Sequence, residues 1–363
     1  MVPVGGFIKV SDRNVWIESE AALSDSSLWT VPLRLIEAVS TGQPAAMDCV
    51  PPRLAGNLQT IGDIYAAWIE NGVEVPLRCE LSSKDLAPAE GVSLFFSGGV
   101  DSFYSLLKHR DEIDQLVLVH GFDIPLAERK VFASVEAMVR EVARMFAKKL
   151  IVVRTNIHWE ESGKESIPCS WGMYHGAALA AVAYALAPVH RKIFIASSYA
   201  YADLHPWGSH PLLDPLWSTE ALEFVHDGGE RRIDKLRALI DYPEALAHLR
   251  VCWENTDENN CCHCEKCVRT MLALRALGVE SSPAFAGFLT PDLVSSQPLN
   301  SDSARFWREL IDADLPSSLK AAVMAAISSY EAGLPPRTGK PKREIKRLLY
   351  AIRNAIRALR AAV

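Results

Sequence analysis

A short apolar run that stops at two glycines constrains the fold of this chain more than any other feature. Val92 to Phe96 has the composition of a strand buried on both faces, which is typical of a parallel sheet covered by helices. The string Ser97-Gly98-Gly99-Val100-Asp101-Ser102 follows, and Phe103 to Lys108 begins a helical run. Asp101 or Ser102 is the predicted N-cap of that helix. The segment therefore predicts a strand, a glycine loop and a helix N-terminus in direct succession.

This succession has the properties of an anion-binding site. Unpaired N–H groups and the positive end of the helix dipole meet where such a loop enters a helix. Gly98 and Gly99 have no Cβ, so the backbone can approach an anion closely, and the hydroxyls of Ser97 and Ser102 add donors. Asp101 fits a phosphate site if a cation such as Mg²⁺ lies between them. The loop lacks the lysine of a Walker A motif and the third glycine of a dinucleotide fingerprint. The alternative is a turn without a ligand.

Strands and helices alternate after the glycine loop. The predicted strands are Leu116–Val119, Leu150–Val153 and Lys192–Ala196, and the predicted helices are Leu126–Lys148 and Met173–Leu186. This alternation predicts an α/β protein with a doubly wound parallel sheet. Ligands of such sheets bind beyond the carboxyl ends of the strands. The candidate loops are therefore Ser97–Ser102, Gly121–Pro125, Thr155–Trp159 and Ser197–Pro215.

The loop from Ser197 to Pro215 is unusually long and has neither helical nor strand periodicity. Structureless segments of this length in a compact domain are either functional or disordered, and the tyrosines and tryptophan of this one argue against disorder. We interpret it as a substrate-recognition loop. Its candidate polar contacts are Asp203, His205, His210 and Asp214. The alternative is a packed Ω-loop whose histidines are structural.

Cysteines form the second strong signal, because five of the eight lie between residues 252 and 267. Four of them have the spacing Cys-x8-Cys-x2-Cys-x2-Cys, namely Cys252, Cys261, Cys264 and Cys267. Four thiolates can close a tetrahedral Zn²⁺ site, which is structural because it has no open position. Cys262 and His263 compete as ligands. An iron–sulfur cluster or a redox dithiol would use the same residues.

Together the two motifs resemble the PP-loop ATP pyrophosphatase superfamily, and within it the 7-cyano-7-deazaguanine synthase family of queuosine precursor synthesis. The resemblance rests on Ser-Gly-Gly-x-Asp-Ser after a strand, on the cysteine spacing and on the nearby Arg269, and it covers residues 90–280. It implies an adenine nucleotide alpha hydrolase-like fold, zinc at the four cysteines, and Mg²⁺ at a catalytic Asp101. It also implies that ATP phosphates contact Ser97, Gly98, Gly99, Val100, Asp101 and Ser102. The family usually has Gly where this chain has Cys262.

The resemblance further implies an ATP-dependent, AMP-forming ligase. Such an enzyme adenylates a carboxylate, or an equivalent carbonyl oxygen, and transfers the acyl group to ammonia or an amine. The substrate would be a small-molecule acid, either a 7-deazaguanine acid or another acid in a diverged pathway. Two other functions stay open. RNA base thiolation needs a persulfide-carrying cysteine, for which Cys169 is the candidate, and a catalytically silent nucleotide-binding zinc adaptor would not need the intact Asp101.

The sequence predicts four segments. Residues 1–90 form a small α/β extension, with strands at Phe7–Val10, Val15–Ile17 and Val73–Leu81 and a helix at Ile61–Glu70. Residues 91–280 form the ATP-binding domain with its four-cysteine site. Residues 281–334 form a helical cap with a helix over Ala304–Tyr330. Residues 335–363 form a linker and a basic amphipathic helix.

Charge is unevenly distributed, because residues 337–363 hold nine Lys and Arg against one Glu, whereas the whole chain has a net charge of −6. This separation indicates contact with an anionic partner, which is RNA, a membrane surface or an acidic protein, or packing on the acidic body of the same chain.

The overall composition, with 49% hydrophobic and 23% charged residues, is that of a folded globular protein and excludes a disordered chain. The longest apolar stretch, Ala177 to Val189, is too short to span a bilayer. No signal peptide is visible, so we expect a cytoplasmic protein with reduced cysteines.

Overall fold

The computed structural model describes residues 6–10, 13–82, 89–159, 167–254 and 260–334. The strands are β1 (Gly6–Val10), β2 (Arg13–Ser19), β3 (Ala45–Val50), β4 (Leu77–Leu81), β5 (Val92–Phe95), β6 (Gln115–His120), β7 (Lys149–Thr155), β8 (Lys192–Ala196) and β9 (Glu223–Asp227). The helices are α1 (Val31–Thr41), α2 (Pro52–Trp68), α3 (Val100–Lys108), α4 (Arg129–Met145), α5 (Trp171–Ala185), α6 (Arg232–Leu239), α7 (Pro243–Ala247), α8 (Glu265–Ala276), α9 (Pro291–Ser295), α10 (Ser301–Arg308) and α11 (Ser317–Glu331). None of these helices is long and apolar enough to cross a membrane.

A seven-stranded sheet, in the order β1-β2-β7-β6-β5-β8-β9, forms the centre of the molecule. Strands β5 to β9 pair in parallel, whereas the β1–β2 hairpin joins β7 in antiparallel orientation. The predicted α/β class with a mostly parallel central sheet is therefore confirmed. The chain runs outward from β5 to β7 on one side and then crosses back to β8 on the other. In sheets of this kind, a crevice forms outside the carboxyl ends of the strands on either side of such a reversal, which here are β5 and β8.

Helices cover both faces of the sheet, and each face has its own hydrophobic core. One core lies under α3, α4, α6 and α8 and includes Phe103, Val139 and Leu272. The other core includes Ile151 of the sheet together with residues of α1, α2 and α5. Helix α5 is apolar around most of its circumference, so it must be covered on the side away from the sheet as well. Helix α1 provides that cover, which joins the N-terminal residues to the main body.

Most predicted elements are present, but the predicted cap of α3 and the predicted single helix over Ala304–Tyr330 are wrong, and one strand was missed. Helix α3 begins at Val100 with Gly99 as its N-cap, and no side chain caps it. The predicted caps have other partners, because Asp101 binds cations on α6 and the Ser102 hydroxyl donates to Gly99 O. The helix predicted over Ala304–Tyr330 is two helices, α10 and α11, and Pro316 lies between them. The polar strand β9 was not predicted.

Residues 335–363, with the predicted linker and basic helix, lie outside the described residues. The predicted N-terminal strands are present as β1 and β2, and the predicted helix Ile61–Glu70 is the second half of the longer α2. The strand predicted over Val73–Leu81 is limited to β4, which pairs with β3 in a separate two-stranded sheet. The N-terminal region is thus an extension that shares the main sheet through one hairpin.

Candidate functional site

The glycine loop leads into a helix whose first amides have no helical acceptor. The first helical hydrogen bond runs from the Phe103 N–H to Gly99 O, at 3.0 Å. The amides of Val100, Asp101 and Ser102 precede that bond and therefore point out of the helix end. They lie at the carboxyl end of β5, beside the reversal of strand order. Helix N-terminal amides in such a position can bind an anion, and the anion site stays a prediction.

The two glycines of the loop have different structural roles. Gly98 has φ +79°, in the left-handed region, and a Cβ there would lie 2.7 Å from Met138 Cε. Its carbonyl accepts the Arg250 N–H at 2.8 Å, which fixes the loop against the chain before the cysteines. Gly99 has φ −77°, and a Cβ there would meet Ser97 Oγ at 3.5 Å, an ordinary contact. The positive φ favours glycine at Gly98, whereas Gly99 has an ordinary φ and would accept a Cβ at van der Waals distance.

Asp101, the predicted catalytic residue, is bound by two cations of α6. Arg232 Nη1 and Lys235 Nζ each lie 2.9 Å from a different carboxylate oxygen of Asp101. Lys235 also donates to Ser197 O, at the carboxyl end of β8, at 2.6 Å. Burial opposes ionisation of Asp101, but the attraction of Lys235 and Arg232 outweighs it and lowers the pKa of the carboxyl. The Lys235 ammonium group therefore links the segment after β5 to the segment after β8.

Sequence reasoning missed these two cations. Their signal was the spacing Arg232-x-x-Lys235, which places both side chains on one face of a short helix. Nothing local indicated that this face would meet Asp101, because the pairing residues are 131 and 134 positions apart. The contact depends on the packing of α6 beside α3.

The fold brings the four predicted cysteines together. Their Sγ atoms all lie within 4.8 Å of one another, with 3.9 Å between Cys252 and Cys264 and 4.0 Å between Cys261 and Cys267. A tetrahedral zinc ion with Zn–S bonds of about 2.3 Å needs sulfur atoms about 3.8 Å apart. The spacing and the thiol donor set therefore fit zinc, and the four-cysteine group could hold such a metal ion.

Protonation of the four thiols is coupled. Hydrogen bonds from Cys261 and the other two thiols hold the pKa of Cys252 well below its ordinary value. Hydrogen bonding to Cys252, with smaller effects of the other two thiols, raises the pKa of Cys267. The group shares its protons, and a cation that binds thiolates would displace them.

Helix α8 and one asparagine position the cysteines. Cys264 is the N-cap of α8 and Cys267 lies in its first turn, so this pair is presented by the helix start. The Cys264 N–H points at Cys261 Sγ, at 3.3 Å. Asn260 accepts the Val251 N–H at 2.9 Å and donates to Leu249 O at 2.7 Å. It therefore ties the two arms of the cysteine segment together, a role that the sequence did not reveal.

The two competing ligands lie outside the four-cysteine group. The Cys262 thiol is 3.6 Å from Asn260 O and packs against Gly287. Cys262 also has φ +59°, a conformation that favours glycine. His263 is exposed, and its Nδ1–H donates to Cys261 O at 2.7 Å. The arrangement of described residues thus favours four thiols over a mixed ligand set.

The long loop after β8 does not gather its four candidate residues into one site. His210 and Asp214 are buried and bind within the loop and its neighbour β9. Asp214 Oδ2 accepts from Ser209 Oγ and from His226 Nδ1, each at 2.7 Å. His210 Nδ1 accepts the Leu212 N–H at 3.1 Å. These contacts are those of the packed Ω-loop that was the structural alternative.

The other two candidates, Asp203 and His205, lie nearer the surface beside α10. His205 Nδ1–H donates to Asp203 O at 2.8 Å, and His205 Nε2 is 3.7 Å from an Asp302 oxygen. The His205 ring meets Tyr199 edge-on, with 4.3 Å between centroids. Both residues are therefore partly buried, in contrast to the fully buried His210 and Asp214.

The glycine loop and the four-cysteine group lie on the same side of the sheet. Helix α6 packs against both α3 and α8, and all three contribute to one core. Arg250, which bonds the loop at Gly98, is two residues before Cys252. Comparisons of the chain with known protein families, with curated proteins and with solved structures found no match.

Proposed function

We propose that this chain is an ATP-dependent, AMP-forming ligase built on a PP-loop, adenine nucleotide alpha hydrolase-like fold. The observation that carries the proposal is the position of residues 97–102. Their unpaired helix amides lie where the strand order reverses, between β5 and β8. In open α/β sheets this is where nucleotides bind, with phosphates at the helix N-terminus. The parallel order β7-β6-β5-β8-β9 supports the doubly wound form of the sheet.

The proposed reaction has two steps. A carboxylate oxygen of a small-molecule acid, or an equivalent carbonyl oxygen, attacks the α-phosphorus of ATP. The bond between the α-phosphorus and the bridging oxygen breaks, and pyrophosphate leaves with the electron pair. Ammonia or an amine then attacks the acyl carbon, AMP leaves, and a proton is released. Because no side chain needs to act as a nucleophile, the protein contributes binding, orientation and charge neutralisation.

The geometry of Asp101 gives it a specific part in this proposal. Bound Mg²⁺ would neutralise charge on the leaving pyrophosphate, and Asp101 is the carboxylate in the loop that can hold it. In the free protein both oxygens of Asp101 are bound by Arg232 and Lys235. Binding of a metal–nucleotide complex would exchange these partners. Asp101 would hold the cation, and Arg232 and Lys235 would bind the phosphates.

The other parts of the proposal follow from the same resemblance. Zinc at Cys252, Cys261, Cys264 and Cys267 stabilises the fold and takes no part in the reaction, because four thiolates leave no open position. A 7-deazaguanine acid is the substrate that the resemblance implies. The proposal includes a cytoplasmic location and an anionic partner for residues 335–363, which lie outside the described residues.

Exchange of labelled pyrophosphate into ATP tests the first step directly. The purified protein, ATP, Mg²⁺ and a 7-deazaguanine carboxylic acid are incubated without an amine. We expect exchange that requires the acid and that Asp101→Ala abolishes. A cell extract supplies other acids if this one is inactive. Release of orthophosphate from γ-labelled ATP, with pyrophosphatase absent, would show cleavage at the wrong bond and overturn the proposal.

A further inference from the structure

Arg269 is a buried arginine with hydrogen-bonding capacity that the described protein leaves unused. It lies on α8, two residues after Cys267, and is 4% exposed. Its Nη1 has no hydrogen-bond partner among the described residues, and its Nε is 3.3 Å from Glu265 Oε1 without an aligned hydrogen bond. Glu265 is itself engaged by Trp307 Nε1 at 2.7 Å. An unpaired buried guanidinium donor is costly, and an anionic ligand that accepts from it would offset this cost.

A second guanidinium, that of Arg232, lies near the same aromatic ring as Arg269. The centre of the Arg269 guanidinium lies 4.1 Å from the centroid of Phe306, and that of Arg232 lies 5.8 Å from it. Tyr199 stacks on Phe306 with 5.4 Å between centroids, so the surroundings are aromatic. Arg232 Nε is also buried without a partner among the described residues.

We propose that Arg269 and Arg232 form an anion subsite that binds the β- and γ-phosphates of the nucleotide. This inference rests on the proposed function for the identity of its ligand. The subsite is continuous with the glycine loop, because Arg232 binds the carboxylate of Asp101, and the Asp101 amide has no acceptor within its own helix. Guanidinium groups suit phosphates because they present several donors in a fixed plane.

The subsite also explains why the cysteine segment lies where it does. Cys264 and Cys267 fix the first turn of α8, and Arg269 follows in the next turn. Any metal held by the cysteines would therefore hold the arginine in place from a distance of a few residues. Arg269 is a phosphate-binding residue in this proposal, whereas the cysteines are positioning residues.

Arginine substitution and a set of three ligands test the subsite. We compare the wild type with Arg269→Met and with Arg275→Met, a control on the same helix whose side chain pairs with Glu280 at 2.8 Å on the surface. Calorimetry measures the binding of inorganic pyrophosphate, ATP and AMP. Loss of one charge-assisted contact should weaken pyrophosphate and ATP about tenfold and leave AMP within about twofold. The control should match the wild type for all three ligands.

Equal effects on ATP and AMP, or no effect on pyrophosphate, would overturn the subsite. Unfolding temperature and metal content establish that Arg269→Met is folded. If it is not, Arg269→Lys keeps the charge, and the same preferential loss for pyrophosphate and ATP is expected at about threefold. Binding does not depend on which bond is cleaved. A protein that makes ADP but discriminates these ligands through Arg269 would retain the subsite and lose the proposed function.

Discussion

At the scale of single residues, the two glycines of the loop differ in backbone conformation and in the space around their Cα atoms. Gly98 has a positive φ, and a Cβ there would lie 2.7 Å from Met138 Cε, so the end of that side chain would have to shift. Gly99 has an ordinary φ and room for a Cβ within the free protein. A methyl group at Gly99 would thus occupy space that the protein itself does not use. If phosphates bind close to the loop backbone, they would occupy the same space as this methyl group.

Gly99→Ala should leave the unfolding temperature unchanged and weaken ATP binding at least about tenfold, because the new methyl group replaces a close phosphate contact. Gly98→Ala should instead destabilise the protein by about 1–3 kcal/mol, since it forces a positive φ on alanine. Thermal unfolding and calorimetry distinguish the two variants. Normal ATP affinity of Gly99→Ala would contradict a phosphate cradle at this loop.

Asp101→Asn tests the exchange of partners at the same scale. The substitution leaves Arg232 and Lys235 without their carboxylate, so the ligand-free protein should lose about 2–4 kcal/mol of stability. The released cations should bind inorganic pyrophosphate more tightly than the wild type does when no Mg²⁺ is present. Addition of Mg²⁺ should then increase pyrophosphate affinity in the wild type alone. A variant that binds metal-free pyrophosphate more weakly than the wild type would contradict this exchange.

At the scale of elements, α8 provides two cysteines of the candidate metal site and one buried arginine. Its N-cap and first turn provide Cys264 and Cys267, and its next turn provides Arg269. The adjacent Cys262 is excluded from the group by its left-handed backbone. Five cysteines of similar sequence context thus divide into four that converge and one that packs elsewhere. This division provides a matched pair of substitutions.

Cys264→Ser should reduce bound zinc below half an equivalent and lower solubility, because structural zinc contributes directly to folding free energy. Cys262→Gly should keep a full equivalent of zinc and equal or exceed the wild type in stability, since glycine accepts the positive φ without strain. Metal analysis and thermal unfolding of both variants provide the measurement. Zinc loss from Cys262→Gly would place this residue among the ligands. A wild-type protein that is well folded with less than half an equivalent would contradict the zinc site.

At the scale of the whole molecule, two buried histidines make the free energy of unfolding depend on pH. His120 is the last residue of β6. His190 precedes β8, and its ring nitrogens lie 2.9 Å from Ser93 Oγ and 3.0 Å from Ala183 O. Burial lowers the pKa of each histidine to about 4. The unfolded chain therefore binds more protons than the folded protein between pH 4 and the ordinary value of about 6.5.

The free energy of unfolding should accordingly fall as the pH decreases from about 6.5 to 4, by about 1.4 kcal/mol per pH unit for each of these histidines. His190→Gln should reduce that slope by the contribution of one proton, about 1.4 kcal/mol per pH unit. The substitution should also lower the free energy of unfolding at neutral pH. Urea unfolding at several pH values measures both quantities. The comparison of slopes isolates His190 from Glu309, whose pKa burial raises and which acts in the opposite direction. An unchanged slope would contradict a neutral buried His190.

The sequence by itself determined the features that short-range pattern encodes. The apolar run of β5, the glycines after it and the start of α3 are adjacent in the chain, so backbone sterics and burial specify them together. The four cysteines are equally local, since one segment of sixteen residues contains them all. Their spacing restricts how they can converge. The alternation of strands and helices likewise predicted the parallel sheet, because each connection has to cross one face.

The tertiary structure alone decided which distant residues meet. The polar strand β9 was not predicted because its residues do not alternate between polar and apolar. Its Asp227 and His226 bind partners at the end of α3 and in the long loop, which are distant in sequence. The same contacts made His210 and Asp214 structural rather than exposed. The order of the strands brings α6 beside α3, so that Arg232 of α6 meets Asp101. Tertiary packing likewise places Arg269 beside Phe306. Such pairings depend on how whole elements pack, and packing energy is not written in any local stretch of sequence.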